Sequence, residues 1–408
     1  MEIEPWWLLA LPLFFGLGWA AARVDIRHLV SQSRTLPGSY FRGLNFLHNE
    51  QPDRAIDAFI EVVNVDPETI ELHFALGNLF RRRGEVERAI RMHSSLVKRP
   101  DLSEEQRLHA LFELGQDYLK AGLLDRAEEA LTKLGDSSHG ARSRVLLLEI
   151  YQLEKDWEKA IIAAVAIEQE SGESRQREVA QFHCEMATSL LASSLPEQAR
   201  VAVEAALRAN RKSVRANMIA GDIDAQAGAH ATAIECWRRV ETQDPRYLAL
   251  VAGRMIESHR VLGTSAAALR LIRGYLNAYP SLDLLDLAFR LTLEIEGADP
   301  AYRLVRDEMR RSPTLLGLDR LLEAQLIGAP PERQGDLQLV KSLIHAHMQR
   351  LSRYACENCG FRARQFFWHC PGCGAWESYP PRRAEEIDPA PIRARGTSGV
   401  SFTSGDLH

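Results

Sequence analysis

Apolar residues recur along most of the chain at helical spacing, the mark of helices that bury one face. Over residues 36–330 that rhythm is broken only by short turns, and β-branched clusters in strict alternation are absent. The pattern therefore predicts helices and no sheet across this stretch. Residues 5–22 depart from it, running 18 positions without a charge. As a helix that run is about 27 Å long, close to the ~30 Å hydrocarbon core of a bilayer. Beyond 353, short aromatic runs alternate with cysteines, and from 381 Pro, Arg, Glu, Ser and Gly dominate, a composition that predicts a disordered tail.

The helical stretch repeats. Gly43 and Gly77 lie 34 residues apart, as do Ala55 and Ala89. In a frame with Gly at position 8 and Ala at position 20, the first unit shows Gly43, Phe46, Ala55, Phe59 and Pro67. The second shows Leu76, Gly77, Phe80, Gly84, Ala89 and Leu96; the third, four residues late, shows Leu114, Gly115, Tyr118, Gly122, Ala127 and Leu131. Degenerate units follow around Ala160 and Ala199. The sixth is clear, with Gly221, Gly228, Ala233, Trp237 and Pro245, and weaker ones end at Ala268 with Pro280 and at Ala301 with Pro313. Small residues at 8 and 20 let two helices approach, large apolar residues at 11 and 24 fill the surrounding space, and proline at 32 stops the second helix. The pattern resembles the tetratricopeptide repeat. It implies an all-α array of stacked hairpins, a right-handed superhelix whose concave face takes extended peptides or protein surfaces.

After a helix expected from about Arg333 to Leu351 come Cys356-Glu-Asn-Cys359-Gly and Cys370-Pro-Gly-Cys373-Gly. Each C-x-x-C is a tight turn that brings two sulfurs to one metal, and two such turns make a tetrahedral S₄ site. Gly360 and Gly374 permit the positive φ that such turns need. Segments 364–369 and 375–379 are expected to supply short strands, and the module to dock on the last helices around Leu343 to Leu351. About 25 residues bury little core, so metal is expected to supply most of the folding free energy. The ion is iron or zinc; the pattern resembles the rubredoxin-type knuckle pair and zinc ribbons. His369 is read as a non-ligand. Cys184 and Cys236 are read as small core residues.

Trp6, Trp7 and Trp19 sit near the two ends of the uncharged run, where indoles favour the membrane interface. Ala20 to Ala22 would suit signal cleavage, but Glu2 and Glu4 replace the basic start that a signal peptide needs. Arg23, Arg27, Arg34 and Arg42 follow the run, so the N-terminus is expected outside and the bulk of the chain in the cytoplasm. That compartment disfavours two disulfides at the four cysteines. The resulting organisation is a transmembrane anchor over 1–22, a juxtamembrane linker over 23–35, the repeat array over 36–330, a linking helix over 331–353, the metal module over 354–380 and a tail over 381–408. The formal net charge is −5, which argues against a surface devoted to nucleic acid. No phosphate loop, His-Glu-x-x-His run or Gly-x-Ser-x-Gly elbow occurs, so no catalytic residue is proposed.

Anchor, repeats and CENCG…CPGCG in this order resemble the lipopolysaccharide assembly protein B family over nearly the whole chain. The resemblance implies a non-enzymatic adaptor on the cytoplasmic side of the inner membrane. Its implied partners are a membrane AAA+ metalloprotease, the deacetylase that commits flux to lipid A, and lipopolysaccharide export machinery. The four cysteines map onto Cys356, Cys359, Cys370 and Cys373. Homo-oligomerisation stays open. Two alternatives come from other classes. One is a rubredoxin-like electron carrier using iron. The other is an RNA-binding zinc ribbon, with Arg350, Arg353, Arg362 and Arg364 supplying charge and Phe366, Phe367 and Trp368 stacking faces.

Overall fold

The computed structural model describes residues 38–49, 51–65, 70–348 and 354–381. The expected anchor at 1–22 and linker at 23–35 lie outside these residues, as do Pro67, Arg350, Arg353 and the tail beyond 381. Among the described residues no helix is long and apolar enough to cross a membrane.

The chain forms two compact units, divided after Asp156. In the first, α1 (Gly38–His48) packs on α2 (Pro52–Val65), α3 (Ile70–Arg83) on α4 (Val86–Val97), and α5 (Glu104–Lys120) on α6 (Leu124–Thr132), followed by α7 (Gly140–Glu154). The second opens with α8 (Trp157–Ser171). It then pairs α9 (Gln176–Ala192) with α10 (Pro196–Ala209), and α11 (Val214–Gln226) with α12 (His230–Gln243). A 3₁₀ turn, Pro245–Tyr247, leads to α13 (Leu248–Val261) and α14 (Ser265–Ala278). Then come α15 (Leu282–Glu296) with α16 (Ala298–Arg311), and α17 (Leu315–Gly328) with α18 (Pro331–Met348). The helix expected as a link to the module thus packs against α17 as the second arm of a hairpin.

The repeat chemistry accounts for these pairs. A Cβ on Gly43, Gly77, Gly115 or Gly221 would collide with the side chain at position 24 of the same unit: Phe59, His93, Leu131 or Trp237 respectively. Position 8 is therefore the socket for position 24. The alanines at position 20, Ala55, Ala89, Ala127, Ala160, Ala199, Ala233, Ala268 and Ala301, are all fully buried. Helices α12, α14 and α16 each end two residues before a proline (Pro245, Pro280, Pro313), as the missing N–H and the restricted preceding residue require.

His93 departs from the large apolar residue expected at position 24. Its Nδ1 lies 2.5 Å from Asp117 Oδ2, and both side chains are fully buried. Arg81 bridges Asp117 at 2.8 Å and Glu113 at 2.5 Å. A charge cluster thus ties α3, α4 and α5 where other units use apolar contact. Buried charges persist only when paired this closely.

Candidate metal centre

Residues 354–381 fold around two knuckles. Strands β1 (Tyr354–Ala355) and β2 (Arg362–Ala363) pair antiparallel and flank the first. The second is closed by a single bridge between His369 and Trp376. The strands expected at 364–369 and 375–379 thus reduce to that one bridge, because Glu377 takes a left-handed φ of 52° and ends the extended run directly after Trp376. The two knuckles mirror each other. The N–H of Cys356 donates to Phe361 O, and that of Cys370 to Ala375 O; the N–H of Gly360 donates to Cys356 O, and that of Gly374 to Cys370 O. Gly360 and Gly374 take φ of 74° and 69°, the left-handed region in which a Cβ would be strained.

The turns bring all four sulfurs, of Cys356, Cys359, Cys370 and Cys373, within 4.8 Å of one another. Cys356 and Cys373 sulfurs are 3.8 Å apart, as are those of Cys359 and Cys370. A tetrahedron with ~2.3 Å metal–sulfur bonds has edges of ~3.8 Å, so the donor set fits one four-coordinate ion. Backbone N–H groups of Asn358 and Cys359 point at the Cys356 sulfur, and those of Gly372 and Cys373 at Cys370. Phe361 and Ala375 do the same for Cys359 and Cys373. Such donors stabilise thiolate. Burial would raise the Cys356 thiol, but the Ser378 hydroxyl and these N–H groups bring it down to about 6. Cys359, despite the Phe361 N–H, is pushed up to about 12 by desolvation and its neighbouring thiols. Four thiolates this close repel one another, and a bound cation removes that conflict. Cys356 and Cys370 are buried while Cys359 and Cys373 are exposed. His369 packs its ring against Trp376 at 4.4 Å and is not among the grouped donors.

The module docks in the second unit, on α9, α11 and the 3₁₀ turn, which corrects the expectation of a seat near Leu343 to Leu351. Leu343 is 65% exposed, and Leu351 lies outside the described residues. The reason is complementary aromatic surface. Trp368 stacks on Tyr247 with centroids 5.2 Å apart and planes at 10°, and Phe366 meets the same ring edge-on. Trp376 sets its edge against Trp157 and Phe182. Phe367 packs on the buried Tyr379 inside the module. The aromatics expected as free stacking faces for RNA are therefore engaged within the protein.

A polar relay crosses the same interface. Arg215 donates to Glu185 at 2.8 Å and to Gln181 Oε1 at 3.2 Å, and Gln181 Nε2 donates to Glu377 Oε1 at 2.6 Å. Tyr247 Oη donates to Glu377 O. Glu377 holds φ of 52°, strain that these contacts sustain. Burial pushes its carboxyl up, with the Gln181 amide opposing. Sequence reading found the four sulfurs but missed Ser378, Asn358, Gln181, Arg215, Tyr247 and Glu377. Only Glu377 left a trace, as a charge in an otherwise aromatic run.

Cys184 and Cys236 are buried, and desolvation raises the Cys184 thiol to about 12. Both are inert packing residues.

Residues 354–380 match the rubredoxin metal binding domain family, and residues 42–92 and 184–247 match the tetratricopeptide repeat. Lipopolysaccharide assembly protein B of Escherichia coli (strain K12) is 31% identical over 380 residues, covering 92% of this chain and 97% of that protein. The Haemophilus influenzae protein of the same name is 30% identical over 391 residues, covering 93% and 98%. Among solved structures, the TPR2AB domain–pHSP90 complex of yeast Sti1 is 17% identical, covers 66% of this chain and 95% of its own, and has a TM-score of 0.30.

Proposed function

The chain belongs to the lipopolysaccharide assembly protein B family, and from that premise we propose that it is an adaptor, not an enzyme, held at the cytoplasmic face of the inner membrane. The uncharged run at 5–22 is its single-pass tether, with the N-terminus periplasmic. The helical array brings a membrane AAA+ metalloprotease together with the deacetylase that commits flux to lipid A, and so restrains lipopolysaccharide synthesis in step with export. The four cysteines hold one zinc or iron ion that fastens the module to the array. One observation carries this reading: the similarity runs from end to end, through repeats and metal module alike. Tethering supports it physically, because confinement to a surface raises the effective concentration toward membrane partners without any new contact.

The test is the half-life of the deacetylase after translation arrest, followed by immunoblot, in cells depleted of this chain. A longer half-life is expected, restored by the full chain and only weakly by one lacking 1–22. An unchanged half-life on depletion overturns the protease-adaptor reading.

A further inference from the structure

The backbone donors at the four sulfurs follow the mirrored pattern of the knuckles. Cys356 and Cys370 each receive two N–H groups, and Cys359 and Cys373 one each. Side chains break that pattern. The Ser378 hydroxyl lies 3.3 Å from the Cys356 sulfur, and Asn358 Nδ2 donates to Cys373 Sγ at 3.3 Å. Among the described residues, Cys359 is left with the Phe361 N–H alone. It is exposed, whereas Cys356 and Cys370 are buried. Cys373 is exposed as well, but the Asn358 amide is its second donor.

A hydrogen bond to a thiolate draws off negative charge and makes the sulfur a weaker nucleophile. Of the two sulfurs that a reagent can reach, Cys359 therefore keeps more of its charge.

We propose that Cys359 is the reactive thiolate of this centre and that hydroperoxides open the site there. With hydrogen peroxide, the Cys359 sulfur attacks one oxygen and becomes a sulfenic acid as hydroxide leaves. The Cys370 sulfur, 3.8 Å away on the other knuckle, then attacks the sulfenic sulfur, forms the Cys359–Cys370 disulfide and expels a second hydroxide. Two thiolates give up two electrons, and one peroxide is reduced to two hydroxides. Cys356 and Cys373 remain as ligands, too few for a closed four-coordinate site. Loss of the ion then loosens the module whose Trp368 and Trp376 pack on Tyr247 and Phe182. The proposal rests on the reading that the four cysteines hold one metal ion.

The test uses the full chain in detergent, reduced, loaded with zinc and freed of excess reductant. Zinc content is measured first by elemental analysis. Sub-stoichiometric iodoacetamide, a small neutral reagent, is then added, and the alkylated cysteines are located by fragment-ion mass spectrometry. Cys359 should label roughly tenfold faster than Cys373, the effect of one hydrogen bond to a charged group. Asn358→Ala should bring Cys373 up to the Cys359 rate, while Ser378→Ala, beside the buried Cys356, leaves the preference. One equivalent of hydrogen peroxide should yield the Cys359–Cys370 disulfide and release zinc to a chromogenic dye, and dithiothreitol with added zinc should reverse both. The parent labelling ratio and the disulfide map need no variant, so they decide even where a substitution costs the zinc. Equal labelling of Cys359 and Cys373 in the zinc-loaded parent, or a first disulfide between any other pair, overturns the assignment while the metal reading stands. A reduced chain that takes up no zinc overturns the metal reading and this proposal with it.

Discussion

Removing the indole of Trp368 tests whether the array helps to hold the metal. The ring is half-buried between Tyr247, Phe366 and the Arg215 guanidinium, whose carbon lies 5.7 Å from its centroid. An aromatic side chain buries ~200 Å² when fully covered, so half-coverage at ~25 cal/mol/Å² contributes about 2.5 kcal/mol. The Tyr247 stack adds roughly 0.5 kcal/mol beyond area, and the cation–π contact about 0.5. Trp368→Ala should then weaken the docked state by about 3.5 kcal/mol. The metal leaves through an opened module, and opening first breaks this dock. Release to a chromogenic chelator should therefore accelerate on the order of 300-fold, since each ~1.4 kcal/mol is a factor of ten. Stopped-flow absorbance at a saturating chelator concentration measures it, with Arg362→Ala, on an exposed strand position, as control. Helical circular dichroism should not change. Release within threefold of the parent rate would refute the coupling between dock and metal.

Three further outcomes follow from the same geometry. Cys356→Ser with Cys373→Ser should abolish bound metal by elemental analysis and disorder the module, leaving far-ultraviolet helicity intact because repeat units lean mainly on their neighbours. Asp117→Ala strips His93 and Arg81 of their shared partner and should destabilise the first unit by about 3–5 kcal/mol in denaturant melts, the range for a broken buried pair. Ser194 takes φ of 60° at the turn where the clear repeats use Gly84, Gly122 and Gly228. Ser194→Gly should stabilise by about 1 kcal/mol, and a loss of stability would show that the turn is not strained.

Much of this architecture was legible because it depends on local sequence. The 34-residue spacing survives wherever Gly at position 8 must receive the side chain at position 24, and C-x-x-C-G dictates its own turn. The fourth and fifth units read as degenerate for a visible reason: Lys155 and Ser194 stand in left-handed turns where a glycine would have signalled the boundary. Position 24 of the second unit was opaque because His93 is acceptable there only through Asp117, 24 residues away. No periodicity encodes such a pairing.

The docking of the metal module was illegible for a related reason. Trp368 and Tyr247 are separated by 121 positions, and neither belongs to a repeat motif. An aromatic run beside cysteines reads equally well as a strand, a nucleic-acid platform or a packing face. What decides among these is whether a complementary surface exists elsewhere in the fold. Here it does: Tyr247, 3% exposed, has Trp368 stacked on its ring and Phe366 against its edge. Metal ligation and array packing are consequently not independent. An ion held by the four cysteines would order a module that is too small to order itself, and the ordered module in turn shields apolar surface that the array would otherwise expose to water. Any partner that reads the array near α9 and α11 therefore reads the metal state as well.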